Sequence, residues 1–188
     1  MKQNRLIRYT IWGILIICPW ILTSCDMFHE DLPECRLFVK FKYDYNMLFT
    51  DAFHTQVDKV ELYVFDKDGK FLFSQVEEGE ALATGNYQME VKLPIGEYQF
   101  LAWAGARDSY DIYTPRGENT ITDMRLRLKR EESLIISKEL EPLWYGYISD
   151  VDFTGTSHQT EKIDLIKDTN KIRFVFQGYS DSYIRATS

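Results

Sequence analysis

The chain has 188 residues, of which 45% are hydrophobic and 15% aromatic, and its formal net charge is −7. This length and composition suit a folded domain with a hydrophobic core and exclude a disordered polymer. The acidic balance excludes electrostatic attraction to nucleic acid or to anionic lipid headgroups as the basis of function.

Residues 1–24 are organised as a secretory signal peptide. The basic residues Lys2, Arg5 and Arg8 precede an apolar run over 9–22, which a proline interrupts. A helix that spans a membrane needs about 20 apolar residues, so a transmembrane segment is the less favoured alternative. Removal of the signal would leave 19 basic against 29 acidic residues, and therefore a net charge of −10.

The signal ends in Leu22-Thr23-Ser24-Cys25, which resembles the lipobox of bacterial lipoproteins. The resemblance implies cleavage between Ser24 and Cys25 and attachment of lipid to the sulfur and the amine of Cys25. Several acyl chains, each contributing about 0.8 kcal/mol per buried methylene, would hold the protein on a membrane. An ordinary cleavage site followed by a chance cysteine is the alternative.

Residues 25–34 are predicted to form a tether, because they include four acids and show no hydrophobic period. In surface lipoproteins of the Bacteroidetes, acids after the lipidated cysteine resemble an export signal for the outer face; a merely solvated linker is the alternative. Cys18 would leave with the signal and Cys25 would carry lipid, so Cys35 has no partner for an intrachain disulfide. We predict that Cys35 is a small buried hydrophobe, with an intermolecular bridge as the alternative.

From Cys35 onward the hydrophobic period is two, which is typical of strands with one buried face. The first strand is predicted over 35–43, with Leu37, Val39 and Phe41 facing the core. In the next predicted strand, the apolar face toward the core consists of Val60, Leu62 and Val64. The outward face consists of Lys59, Glu61 and Tyr63. The sequence Asp66-Lys67-Asp68-Gly69 then predicts a turn into Phe71 and Phe73, and so a hairpin. Its glycine is misplaced for an EF-hand calcium loop.

A second hairpin is predicted over 87–103, with Phe100 facing inward. Met124, Leu126 and Leu128 predict a strand whose outer face carries Arg125, Arg127 and Lys129. We interpret this basic row as a solvated face with acidic neighbours, and a ligand site as the less favoured alternative. Further strands are predicted at Ile135-Ile136, Leu143-Trp144-Tyr145, Ile163 with Leu165, and Ile172 with Phe174 and Phe176. Single helical turns are predicted over 50–56 and 137–141.

These short strands, separated by turn residues and without long helices, predict an all-β fold: an antiparallel β-sandwich of about seven or eight strands over 35–180. His29, His54 and His158 lack metal-ligand spacing, and the sequence contains neither a nucleophile-elbow motif nor a P-loop. We therefore predict no catalytic residue, no metal site and no cofactor, and hence not an enzyme.

The order and spacing of several segments resemble the FimB/Mfa2 family of fimbrial lipoproteins from Bacteroidales. The resemblance runs from the signal to the end of the chain. The segments are Asp31-Leu32-Pro33-Glu34-Cys35, Phe41-Lys42-Tyr43-Asp44-Tyr45-Asn46, Asp51-Ala52-Phe53, 57–66, 93–98, Ala102-Trp103-Ala104-Gly105 and 165–172.

The resemblance implies a transthyretin-like Greek-key sandwich that serves as an anchor or accessory subunit of type V pili. It implies lipid attachment at Cys25, a surface-exposed position on the outer membrane, a role in pilus assembly and cell adhesion, and pilin partners bound by strand-type contacts. Members usually carry a second sandwich domain, so residues 181–188 are expected to be the start of one.

The alternative function is a surface glycan-binding lipoprotein of a nutrient-uptake system. Such a site requires exposed aromatic platforms beside polar groups, although aromatic residues in a sandwich more often belong to the core. The candidates are Trp103, Tyr110, Tyr113, Trp144, Tyr145 and Tyr147.

Overall fold

Ten β-strands form the fold in the computed structural model, which describes residues 35–117, 119–130, 136, 138–172 and 175. The strands are β1 Leu37–Lys42, β2 Lys59–Asp66, β3 Phe71–Glu78, β4 Met89–Val91, β5 Gly96–Ala104, β6 Tyr110–Tyr113, β7 Arg125–Leu128, β8 Trp144–Phe153, β9 Gln159–Asp164 and β10 Ile166–Lys167. The helical elements are α1 Phe53–Gln56 and the 3₁₀ helices Glu80–Thr84 and Ile121–Asp123. The predicted signal peptide, tether and C-terminal tail lie outside the described residues.

Two sheets enclose the main core. One has the strand order β4-β1-β9 and the other the order β10-β8-β5-β2-β3. Leu37, Val39 and Phe41 of β1 are buried as predicted, and they belong to the same hydrophobic cluster as residues of β2, β5 and β8. The predicted fold class, an all-β sandwich, is confirmed. One pairing departs from the antiparallel rule, because β1 and β9 run parallel.

The hairpin predicted from Val60 to Phe73 is confirmed as the pair β2 and β3. The Asp66 carboxylate accepts hydrogen bonds from the backbone N–H groups of Asp68 and Lys70, at 3.0 and 2.8 Å. Gly69 has φ +79°, a value that glycine adopts without the steric penalty of a side chain. The turn therefore forms for the chemical reasons that the sequence suggested.

The prediction of a second hairpin over 87–103 is wrong, although both of its strands exist. β4 pairs with β1, whereas β5 pairs with β2 and β8 in the other sheet. The connecting segment therefore crosses between the sheets, and the Tyr98 hydroxyl donates to the Pro94 carbonyl there, at 2.8 Å. Alternation shows which side chains face a core but not which strand accepts the backbone hydrogen bonds. Phe100 is fully buried, as predicted.

A third layer covers part of the outer face of the five-stranded sheet. It is the antiparallel pair β6 and β7, and β6 was not predicted from the sequence. Tyr63, predicted on the outward face of β2, is only 1% exposed and clusters with Ile112 of β6 and with Met124, which precedes β7. Burial raises the pKa of the Tyr63 phenol, and the adjacent Glu61 carboxylate adds to that rise. The outward face of a strand is thus buried wherever another layer lies on it.

The prediction that Cys35 is buried is wrong. Its side chain is exposed and free, and its thiol lies against the Gly155 carbonyl. Cys35 precedes β1 at one end of the sandwich, where the core does not extend over it.

The helical turn predicted over 50–56 is confirmed by α1, but residues 138–141 are not helical. Ile136 and Ile172 are exposed and lie outside any described strand. A few apolar residues form a strand only where a neighbouring strand pairs with them. The remaining residues of these predictions lie outside the described ranges, and they are Ile135, Ser137, Phe174 and Phe176.

Candidate partner-binding site

The first strand, β1, is the central strand of the three-stranded sheet and has a paired strand on each side. β1 pairs with β4 from Leu37 to Val39 and with β9 along its whole length. Beyond the strand, the backbone N–H of Tyr43 donates to the Asp51 carboxylate at 3.0 Å. The sandwich therefore contains its own first strand, and a partner strand would have to bind elsewhere.

The edges of the three-stranded sheet suit strand addition poorly. β4 has only three residues. β9 is six residues long but carries Glu161, Lys162 and Asp164, and the Lys162 ammonium lies 3.0 Å from the Asp164 carboxylate. Short length and charged side chains are the features that protect sheet edges from further pairing.

β3 forms the long edge of the five-stranded sheet. It has eight residues and, among the strands that the structure describes, pairs only with β2. Leu72 and Val76 are 43% and 49% exposed on it, and Ser74 between them is also exposed. A free row of backbone donors and acceptors beside apolar side chains is the template that an added strand requires.

Polar contacts hold the inward side of β3. The Gln75 amide donates to the Glu90 carbonyl, and the Tyr87 hydroxyl donates to the Glu77 carboxylate, both at 3.2 Å. Burial raises the pKa of Tyr87, and the Glu77 carboxylate raises it further, so the hydroxyl stays a hydrogen-bond donor at neutral pH. These contacts link β3 to the segment that contains β4, so the edge is already in place for a partner.

One end of β3 is held by charge. Arg107 donates to the Glu78 carboxylate at 2.6 Å and lies 3.1 Å from the carboxylate of Asp58. The two acids raise the pKa of Arg107, with Glu78 as the larger cause. These ion pairs hold the C-terminal end of β3, at Glu78, in position.

The predicted basic row on β7 is exposed, and the structure shows for Lys129 the acidic neighbour that was expected for the row. The Arg127 guanidinium lies over the Tyr113 ring, 5.2 Å from its centroid, and the Lys129 ammonium lies 3.3 Å from the Asp111 carboxylate. The side chain of Arg125 donates to backbone carbonyls, including that of Met124 at 2.8 Å. The three bases therefore do not converge on one point.

The six aromatic candidates for a glycan platform are divided by the fold. Trp144 and Tyr110 are buried in the core. Trp103 and Tyr145 pack together on the outer face of the five-stranded sheet, with ring centroids 4.9 Å apart. Tyr147 lies exposed beyond them on β8, where its hydroxyl donates to the Gln99 side chain at 2.7 Å. Tyr113 is exposed on β6.

Ser24 and Cys25, the predicted cleavage and lipidation residues, lie outside the described ranges. Within those ranges, no helix combines the length and the hydropathy that a membrane crossing requires. The same residues include no group of three or more His, Cys, Asp or Glu side chains placed to hold a metal ion.

The family profile of the fimbrillin-A associated anchor proteins Mfa1 and Mfa2 matches residues 32–188. The minor fimbrium anchoring subunit Mfa2 of Porphyromonas gingivalis is 27% identical to the chain over 129 residues, which are 66% of this chain and 40% of that protein.

Two solved structures from Bacteroides share the fold. One is from Bacteroides thetaiotaomicron, and its description is that of candidate polysaccharide-binding proteins (DUF1812). It is 70% identical to the chain and has a TM-score of 0.69, and the match covers 71% of this chain and 48% of that one. The other, a candidate adhesin from Bacteroides ovatus, is 33% identical with a TM-score of 0.66 and coverage of 78% and 50%. The chain thus spans about half the length, or less, of these relatives.

Proposed function

Because the chain belongs to the Mfa2 family of fimbrillin-A associated anchor proteins, we propose that it is a structural subunit that holds a fimbrium on the outer membrane. The observation that carries this proposal is the family match over residues 32–188, which includes every described strand. The family consists of structural anchor subunits and not of enzymes, so the protein acts by binding and by attachment.

The attachment to the membrane is proposed to be lipid on Cys25. The motif Leu22-Thr23-Ser24-Cys25 supports it, and so does the net charge of −10 that the chain would carry after cleavage, since such a chain gains nothing from anionic headgroups. Residues 25–34 would form the tether and 35–180 the first domain. The greater length of the relatives supports the further proposal that 181–188 begins a second domain.

The first prediction tests the anchor. We expect Cys25→Ala to abolish incorporation of labelled palmitate and to release fimbriae from the cells into the medium, because the acyl chains are then absent. Cys35→Ala is the matched control, since Cys35 is the other cysteine after the signal and is exposed. The control protein should keep the label and retain its fimbriae. Unchanged labelling of the Cys25 variant would contradict the anchor.

Fimbrial subunits are the proposed partners, bound by strand addition at β3. This edge is eight residues long and carries the exposed aliphatic side chains of Leu72 and Val76. A strand added there would exchange backbone hydrogen bonds with β3 and cover Leu72 and Val76.

The second prediction tests this edge. Val76→Lys places a charge on the exposed side of β3, where it would hinder pairing with an added strand. We expect a several-fold loss of fimbriae from the cells, with the free energy of unfolding changed by less than about 0.5 kcal/mol, as for other surface substitutions. Ile95→Lys is the control, because Ile95 is an exposed apolar residue in the segment between β4 and β5. Equal fimbrial retention in the two variants would exclude the β3 contact.

A second candidate function is glycan binding at the cell surface. The description of the 70% identical relative favours it, and so does the group of Trp103, Tyr145 and Tyr147 beside Gln99. The two functions are separated by deleting the gene. Detached fimbriae would support the anchor, whereas attached fimbriae with lost binding of polysaccharide to the cells would support the glycan role.

A further inference from the structure

A short loop at one end of the sandwich exposes four apolar side chains. This apolar loop, residues 44–50, follows β1 and precedes α1. The Ala52 N–H donates to the Tyr43 carbonyl at 2.8 Å and closes the base of the loop. Single exposed hydrophobic residues are ordinary on a protein surface, but four within five positions form a contiguous apolar patch. They are Tyr45, Met47, Leu48 and Phe49, and each is between 62% and 93% exposed.

The loop has a defined conformation. The Asn46 side-chain amide donates to the carbonyls of Tyr43 and Thr50, at 2.7 and 2.8 Å, and its oxygen accepts the N–H of Leu48 at 2.8 Å. Phe49 has φ +54°, which is uncommon for a residue with a bulky side chain. The hydrogen bonds of Asn46 therefore hold the apolar side chains in water, where covering them would release about 25 cal/mol per Å² of apolar surface.

The C-terminal part of the described chain runs to the same end of the sandwich. β9 pairs in parallel with β1, so both strands finish there, and the Leu165 N–H after β9 donates to the Lys42 carbonyl at 2.7 Å. The Asp168 N–H then donates to the carbonyl of Leu143, just before β8, at 2.9 Å. The chain that follows β10 therefore leaves the sandwich at the end that carries the apolar loop.

Two aromatic contacts place this exit beside the base of the loop. The Tyr43 ring lies edge-on to the Trp144 ring, with centroids 5.8 Å apart. The Lys167 ammonium lies over the same Trp144 ring, 5.1 Å from its centroid. One residue of β8 thus contacts both the residue that enters the loop and the segment from which the C-terminal residues continue. Ile172 and Val175, at the end of the described chain, are apolar and 76% and 70% exposed.

Residues 173–188 have a composition that matches the loop. They carry two bases and one acid, a net charge of +1, whereas residues 42–51 carry one base and two acids, a net charge of −1. An extended chain covers about 3.3 Å per residue, so this segment can reach about 50 Å, far beyond the spacing of about 4.8 Å between neighbouring strands such as β1 and β9. Its large apolar and aromatic residues are Phe174, Val175, Phe176, Tyr179, Tyr183 and Ile184.

We propose that the apolar loop is an intramolecular docking surface, on which residues 173–188 of this chain pack. Phe174 and Phe176 are the expected contacts for Phe49, because in an extended chain they lie on the side opposite to the exposed Val175.

Covalent linkage favours this segment over a separate partner. A segment joined through a few residues is present at a local concentration in the millimolar range, so a modest apolar contact is enough to dock it. A separate protein would need a much larger interface. The inference goes beyond the proposed function, since it concerns how the first domain holds the chain that follows it, and it depends neither on the lipid anchor nor on a fimbrial partner.

Photo-crosslinking from position 49 identifies the occupant of the loop. Benzoylphenylalanine replaces Phe49 in the full-length protein on the producing cells, and the irradiated protein is digested with trypsin and analysed by mass spectrometry. We expect an adduct with the peptide 174–185, which trypsin releases by cleaving after Arg173 and Arg185, in a band of monomeric mass. An adduct with another part of this chain, a second copy, a separate protein or lipid would overturn the inference, as would the absence of an adduct.

Protection from trypsin measures the docking in the full-length protein purified from the cells. We expect Phe49→Asn to raise the rate of cleavage after Arg173 about tenfold, because the apolar contact that covers this bond is lost. Asparagine accepts positive φ readily, so the loop should keep its conformation. Phe49→Leu is the matched control, since it keeps an apolar side chain, and its rate should change less than twofold. Equal rates in the two variants would overturn the inference.

Discussion

Phe100→Ala is expected to lower the free energy of unfolding by about 3 to 5 kcal/mol, the usual cost of removing a buried phenylalanine from a core. Phe100 is fully buried at the centre of β5, between Val64 of β2 and Ile148 of β8. The substitution removes apolar contacts and leaves a cavity that the two neighbouring strands cannot close. A typical domain is stable by about 5 to 15 kcal/mol, so the loss would be a large share of the total.

Chemical denaturation of a protein that comprises residues 26–188 would measure this effect. Ile95→Ala is the control, because Ile95 is apolar but exposed, and we expect its free energy of unfolding to change by less than about 0.5 kcal/mol. A similar small change for Phe100→Ala would mean that the inward face of β5 has been assigned to the wrong residues.

Gly105→Ala should destabilise the domain by at least about 2 kcal/mol, for two reasons that act together. Gly105 has φ +74°, which carries a steric penalty for any residue with a Cβ atom. A Cβ atom there would also clash with the Pro142 carbonyl oxygen and lie 2.9 Å from the Trp144 ring. The backbone cannot withdraw easily, because the Gly105 N–H donates to the Lys59 carbonyl at 2.8 Å.

Gly117→Ala separates the two causes. Gly117 has φ +68°, close to that of Gly105, but a Cβ atom there would have no neighbour within 4 Å. Its substitution should therefore cost only the conformational strain, about 1 to 2 kcal/mol. The difference in midpoint of denaturation between the two variants measures the close approach of the 142–144 segment to Gly105. Equal costs would show that this approach is looser than the structure indicates.

The sequence determined the features that depend on neighbouring residues. Alternation placed Leu37, Val39 and Phe41 on the buried face of the first strand, since a strand presents successive side chains to opposite sides. Asp66 and Gly69 specified a turn because their hydrogen bonds and φ value are local. The order of such segments also resembled the family, which the match over 32–188 confirms.

The tertiary structure alone decided which strands pair and which surfaces remain free. β4 and β5 were predicted as one hairpin but belong to different sheets, and Tyr63 was predicted outward but is covered by the layer of β6 and β7. The free edge of β3 and the exposed apolar loop at 44–50 likewise emerge only once every other strand is placed. The physical reason is that backbone donors and acceptors are the same in every residue, so pairing depends on which segments meet, whereas the burial of a side chain on one face is encoded in its own chemistry.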